Sequence, residues 1–142
     1  MPPYVLDTSA IMCVLFQEAG ANQVTAILEA AGKAPGKDHL HVLLPFMALM
    51  ETEYWLMRRL TSREVEHTRL LIESWPGTVW ESSPERRHGA ARVKATTAPL
   101  SVADAWIASL AILQDGELVH KDPEFDRVNG LKMLRLPYKA RS

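Results

Sequence analysis

Short apolar runs of strand length alternate with helix-length segments along almost all of this chain, and that alternation leaves few architectures open. Tyr4 to Leu6, Leu40 to Leu44, Val79 with Trp80, Glu117 to His120 and Lys132 to Arg135 read as strands. Helices are expected over Ser9 to Leu15, Ala21 to Ala31, from Pro45 to about Arg59, Ser62 to Trp75, Glu85 to Thr97, and from Ser101 to the turn Asp115-Gly116. Pro45 suits the first turn of its helix. Pro35 and Gly36 place a loop at Lys33 to Asp38, and one helical turn is expected at Pro123 to Asp126. Strands separated by helices predict a three-layer α/β/α fold around a mostly parallel sheet of four to five strands. With 142 residues and 47% hydrophobic content, residues 1–142 suit one domain with a sizeable core.

In such a sheet the ligand crevice lies at the carboxyl ends of the strands. Asp7 follows the first strand and Asp122 follows the fourth. Glu51 interrupts an apolar helix, and Asp104 opens another. Each has an ordinary structural role. Asp7 and Asp122 suit helix N-caps, Ser101 and Asp104 fit a capping-box pattern, and Glu51 suits a solvated helix face, with Glu53 on a different face competing for the inward position. Capping and metal binding are compatible, however, and several carboxylates converging on one pocket require a cation. The all-oxygen donor set selects a hard divalent ion such as magnesium, which suits phosphate chemistry without a nucleophilic side chain.

A net charge of −1 gives no strong basic field, and the single cysteine, Cys13, excludes a disulfide framework and a cysteine-rich zinc site. The segment MPPYVLDTS lacks the pattern of a leader, and no stretch reaches the ~20 apolar residues of a membrane span, so a soluble cytoplasmic protein with no membrane partner is expected. His39, His41, His67 and His88 show no metal-ligand spacing and are expected at the surface or in loops. Trp75, Trp80, Trp106 and Trp55 are expected mostly in the core, with base stacking the alternative role, and Cys13 also suits the core.

VLDTSA with Asp7, PFMALMETEYWLMRR with Glu51, PLSVADAWIAS with Asp104 and LVHKDPEFDRVNGLKML with Asp122 resemble, in order, the four acid-bearing segments of the PIN-domain family. FQEAGANQV, with Glu18, resembles the family's first link between helices. Over nearly its whole length the chain resembles the VapC-like toxin ribonucleases of type II toxin–antitoxin modules. That resemblance implies a Mg²⁺- or Mn²⁺-dependent endoribonuclease with Asp7, Glu51, Asp104 and Asp122 as catalytic residues and Asp7, Asp104 and Asp122 as metal ligands. It also implies an RNA substrate, a cognate antitoxin that occludes the pocket, and a homodimer or toxin–antitoxin hetero-oligomer. His120 departs from the pattern, because family members often carry a hydroxyl residue there. Glu124 or Asp126 is a further candidate acid, with solvated surface charge as the alternative.

Arg58 and Arg59, and the run Arg86, Arg87, His88, Arg92 and Lys94, offer phosphate contacts or simply solvated helix faces. Two other functions compete. One is a degenerate PIN domain acting as a non-catalytic RNA-binding or assembly module, which four retained acids disfavour. The other is an aspartate-based phosphatase or phosphoacceptor domain, which needs a second acid close to Asp7 that Thr8 and Ser9 do not supply.

Overall fold

The computed structural model describes residues 2–33 and 40–138. Five strands form one sheet in the order β3-β2-β1-β4-β5: β1 (Tyr4–Leu6), β2 (Val42–Pro45), β3 (Thr78–Trp80), β4 (Glu117–His120) and β5 (Lys132–Arg135). Every pairing is parallel, with Val5 opposite both Leu43 and Leu118, so the expected mostly parallel sheet is wholly parallel among the described residues. β2 is buried at every position and β4 at three of four, the pattern of strands covered on both faces. The edge strands β3 and β5 are short and half exposed, which limits unwanted pairing.

The helices are α1 (Thr8–Leu15), α2 (Ala21–Lys33), α3 (Phe46–Arg59), α4 (Ser62–Glu73), α5 (Pro84–Thr96) and α6 (Val102–Leu113). Polar residues start most of them. Asp7, Thr61, Ser83 and Ser101 each accept a backbone N–H of the following turn, and Thr61 with Glu64 completes a reciprocal capping box. α6 is buried without interruption from Asp104 to Ala111, as its all-round apolar sequence dictates.

Some boundaries differ from those the sequence suggests. Leu40 and His41 precede β2, and Pro45 ends that strand in an extended conformation and caps α3 instead of entering its first turn. α4 stops two residues before Trp75. Of the expected loop at Lys33 to Asp38, Lys33 is the last residue of α2, while 34–38 lie outside the described residues, as does His39. His41, His67 and His88 are exposed, and Cys13 is buried.

α5 approaches α6 at Gly89, where an added Cβ would lie 2.5 Å from Ser109 Oγ and 3.2 Å from Leu113 Cδ1. Gly89→Val overpacks this contact and is expected to cost about 1–3 kcal/mol, read as a lower urea midpoint. An unchanged midpoint would show that α5 can move away without penalty.

Candidate functional site

Along the sheet, β2 and β3 lie on one side of β1 while β4 and β5 lie on the other, so the strand order reverses beside β1 and β4. Ligand crevices in open parallel sheets form at such a reversal, outside the carboxyl ends of the strands. A crevice of about 610 Å³ opens there, lined by Asp7, Glu51, Asp104 and Asp122 together with Thr8, Ser9, Glu18, Trp55, Arg59 and Lys121. All four acids singled out from the sequence therefore meet in one place, each delivered by a different element.

Asp7 leaves β1, and its backbone N–H donates to Val119 of β4 at 3.0 Å. Its Oδ2 accepts from the Ser9 backbone N–H at 3.0 Å and from the Ser9 hydroxyl. Ser9 Oγ in turn accepts the Lys121 backbone N–H at 2.9 Å, fastening the end of β1 to the end of β4. Asp7 is only 3% exposed, and its Oδ1 is buried with no hydrogen-bond partner. Such an orphaned carboxylate oxygen is costly unless something neutralises it.

Glu51 stands on α3, half buried, and accepts the Thr8 hydroxyl at 2.7 Å. Glu53 points elsewhere, into a separate pocket lined also by Leu56, Arg69 and Ile72, so Glu51 is the acid of α3 that faces the crevice. Asp104 occupies the first turn of α6, its backbone N–H donating to Ser101 Oγ at 3.0 Å. Asp122 caps the 3₁₀ turn Pro123–Arg127 by accepting the Glu124 backbone N–H at 3.0 Å.

Carboxylate oxygens of Asp104, Asp122 and Glu124 come within 4.8 Å of one another. Glu124 thus joins the acidic group, whereas Asp126 pairs with Arg135 at 2.7 Å and with the Tyr138 hydroxyl. Nothing in the sequence ranked Glu124 above Asp126; the 3₁₀ turn decides between them. Lys121 also escaped the sequence reading. It is 9% exposed, with Nζ donating to the Ala19 carbonyl at 2.8 Å and lying 3.5 Å from Glu18 Oε1, so it ties the crevice wall to the link between α1 and α2. Its one sequence signal was its place immediately before Asp122.

The electrostatics follow from this crowding. Burial, with added repulsion from Glu51 and Asp122, pushes the Asp7 carboxyl up to about 6 against the pull of its hydrogen bonds from Ser9. Burial first, then the charges of Asp7, Asp122 and Glu51, pushes Asp104 up to about 8. An all-oxygen cluster whose members resist ionising together, one with an unpartnered buried oxygen, fits a hard divalent cation.

His120 is fully buried, and its Nδ1 accepts the Asp122 backbone N–H at 3.0 Å. Burial holds its pKa down, so the neutral ring carries its proton on Nε2 and supports the backbone behind Asp122 instead of lining the crevice.

The basic segments divide. Arg86 packs over the Trp80 ring at 4.2 Å and donates to the Glu81 carbonyl, and Lys94 donates to the Leu100 carbonyl, so both hold local structure. Arg59 lines the acidic crevice.

The family model of the PIN domain matches residues 4–131. No curated protein matches the sequence. Among solved structures, the chain is similar to VapBC2 from Rickettsia felis bound to a DNA fragment from its promoter (16% identity, TM-score 0.78, covering 95% of this chain and 99% of that one). It is also similar to DNA-bound VapBC from Salmonella typhimurium (17% identity, TM-score 0.75, 95% and 98% covered). A third likeness is to VapC20 from Mycobacterium tuberculosis, described as a Sarcin-Ricin loop cleaving toxin (17% identity, TM-score 0.66, 87% and 92% covered). At such identities these likenesses concern the fold.

Proposed function

The chain belongs to the PIN-domain family, and from that premise we propose that it is the toxin of a type II toxin–antitoxin module, a metal-dependent endoribonuclease that hydrolyses RNA phosphodiester bonds. The observation that carries this reading is the convergence of four carboxylates from four elements on one crevice, where Oδ1 of Asp7 is buried without a hydrogen-bond partner. Asp104 and Asp122, grouped closely with Glu124, would hold Mg²⁺ or Mn²⁺ together with Asp7, which lines the same crevice. When bound, the ion supplies Lewis-acid stabilisation of phosphoryl charge and activation of the attacking water.

The chain's own residues prepare that chemistry. The Ser9 hydroxyl and backbone N–H fix one oxygen of Asp7 and leave the other without a hydrogen-bond partner. The Thr8 hydroxyl fixes Glu51, keeping it in the cluster as an acceptor for a proton or for ordered water. Lys121, drawn back to Ala19 and Glu18, leaves the centre of the crevice to the acids. The solved relatives described as VapBC support a cognate antitoxin as partner. No helix among the described residues is long and apolar enough to cross a membrane.

Total RNA incubated with the purified protein and Mg²⁺ or Mn²⁺ should yield discrete fragments bearing 5′-phosphates, lost with EDTA and in Asp7→Asn. Fragments that persist in both controls, or that end in cyclic phosphates, would contradict metal-assisted hydrolysis. Absence of cutting across all RNA classes would favour a non-catalytic PIN domain.

A further inference from the structure

Three of the four tryptophans serve the core: Trp106 lies within it, edge-on to Phe46 at 4.6 Å, and Trp75 and Trp80 pack against it. Trp55 does not belong to that core among the described residues, and it lines the acidic crevice half exposed. Its neighbours on α3 make the placement informative. Glu51, Trp55 and Arg59 stand at intervals of four residues, so they form one stripe up the helix, each about 6 Å beyond the last along its axis. All three line the crevice, while Ala48, Thr52 and Leu56 turn into the core. An acid of the cluster is thus followed outward by an aromatic plane and then by a cation.

The aromatic plane is held in position. Tyr54 stacks on Trp55 with ring centroids 5.3 Å apart and planes at 27°. The guanidinium of Arg58 lies 5.5 Å from the Trp55 centroid, and that of Arg59 lies 5.3 Å from it and 5.5 Å from Phe16. Both guanidiniums lie within cation–π range of the Trp55 ring, farther out than the 4.2 Å at which Arg86 packs on Trp80, so a stacking base would take the place of one of them. Both arginines are exposed, so an incoming anion can reach their charged ends.

The geometry points to a nucleotide-binding subsite on this stripe, in which Trp55 stacks an unpaired base next to the scissile bond and Arg59 contacts the adjoining phosphate. Stacking on a protein ring requires a base whose face is free, which a base inside a duplex does not offer. The subsite therefore selects single-stranded RNA or loops, and it supplies the attraction for a polyanion that the acidic cluster itself cannot give. Trp55 is a positioning residue on this account: it sets which phosphate sits over the acids. The inference rests on the nuclease reading for the nature of the ligand, but its test is separable from it.

The full chain carrying Asp104→Asn, expected to cut RNA far more slowly, is titrated in EDTA into a labelled oligouridylate and a labelled blunt RNA duplex, with binding read by fluorescence anisotropy over a range of salt. The single strand should bind tighter than the duplex. Adding Trp55→Ala should weaken single-strand binding by about 5- to 150-fold without changing its salt dependence, while Trp55→Phe retains most of the affinity. Adding Arg59→Ala should instead lower the salt slope by about 0.7. Unchanged affinity in a Trp55→Ala protein of normal melting temperature, equal weakening of duplex and single strand, or no single-strand binding by the parent would each overturn the subsite. Metal-dependent cleavage of total RNA by the wild type alongside such a result would leave the nuclease standing. Trp55-dependent binding without cleavage would sink the nuclease and keep the subsite.

Discussion

Asp104→Asn should lower RNA cleavage by more than about 100-fold and, in EDTA at pH 8 to 9, raise the melting temperature. The two effects have one origin. Asp104 is 9% exposed and faces three other acids, and burial with their repulsion lifts its carboxyl to about 8. Its ionised form is what a divalent cation needs and what the metal-free fold tolerates poorly. An amide of the same shape removes the repulsion but binds a hard cation weakly. The helix start is undisturbed, because the hydrogen bond to Ser101 Oγ comes from the Asp104 backbone N–H. A gain of about 1 kcal/mol would move the midpoint by roughly 3 °C in a chain of this size. Single-turnover cleavage rates and thermal melts on the same preparations check both halves. Retained cleavage removes Asp104 from the mechanism, and a fall in melting temperature means that the carboxylate is structurally satisfied in the metal-free protein.

Much of this site is legible in the sequence because strand ends and helix starts are the local features that parallel-sheet topology forces together. Asp7 and Asp122 each follow a strand, Asp104 opens a helix behind its cap, and β1, β4 and β5 carry the bounds their apolar runs suggest. The phase of α3 was not legible. Its core face is Ala48, Thr52 and Leu56, while Met50 and Met57 are exposed, so hydrophobicity alone does not show which way Glu51 and Glu53 point. The buried Thr52 is tolerated because its hydroxyl donates to the Ala48 carbonyl at 2.8 Å within the helix. Glu124 and Lys121 were hidden for a different reason. Each depends on long-range geometry, the 3₁₀ turn after β4 in one case and the approach of the α1–α2 link in the other.

The metal-free protein should lose stability as pH rises from about 4 to about 8, and a divalent cation should reverse that trend. Asp7 titrates near 6 and Asp104 near 8 in the folded chain, both above the ~3.9 of an unfolded aspartate. Between these values the folded state holds protons that the unfolded state has released. The slope of unfolding free energy with pH is proportional to protons bound unfolded minus folded, so it is negative through this window. It flattens above about 8, where both states are ionised, and the contribution vanishes below about 4, where both are protonated. A cation binds the deprotonated cluster of the folded state and displaces those protons, so its stabilisation grows with pH. Melting temperatures in EDTA and in saturating Mn²⁺, compared at pH 5.5 and pH 8.5, should therefore differ much more at the higher pH. Asp7→Asn and Asp104→Asn should each reduce the metal-dependent gain, whereas Asp126→Asn, whose parent carboxylate is held by Arg135 outside the crevice, should leave it unchanged. A gain of equal size at both pH values, or one that survives in Asp7→Asn and Asp104→Asn, would place the cation elsewhere on the protein.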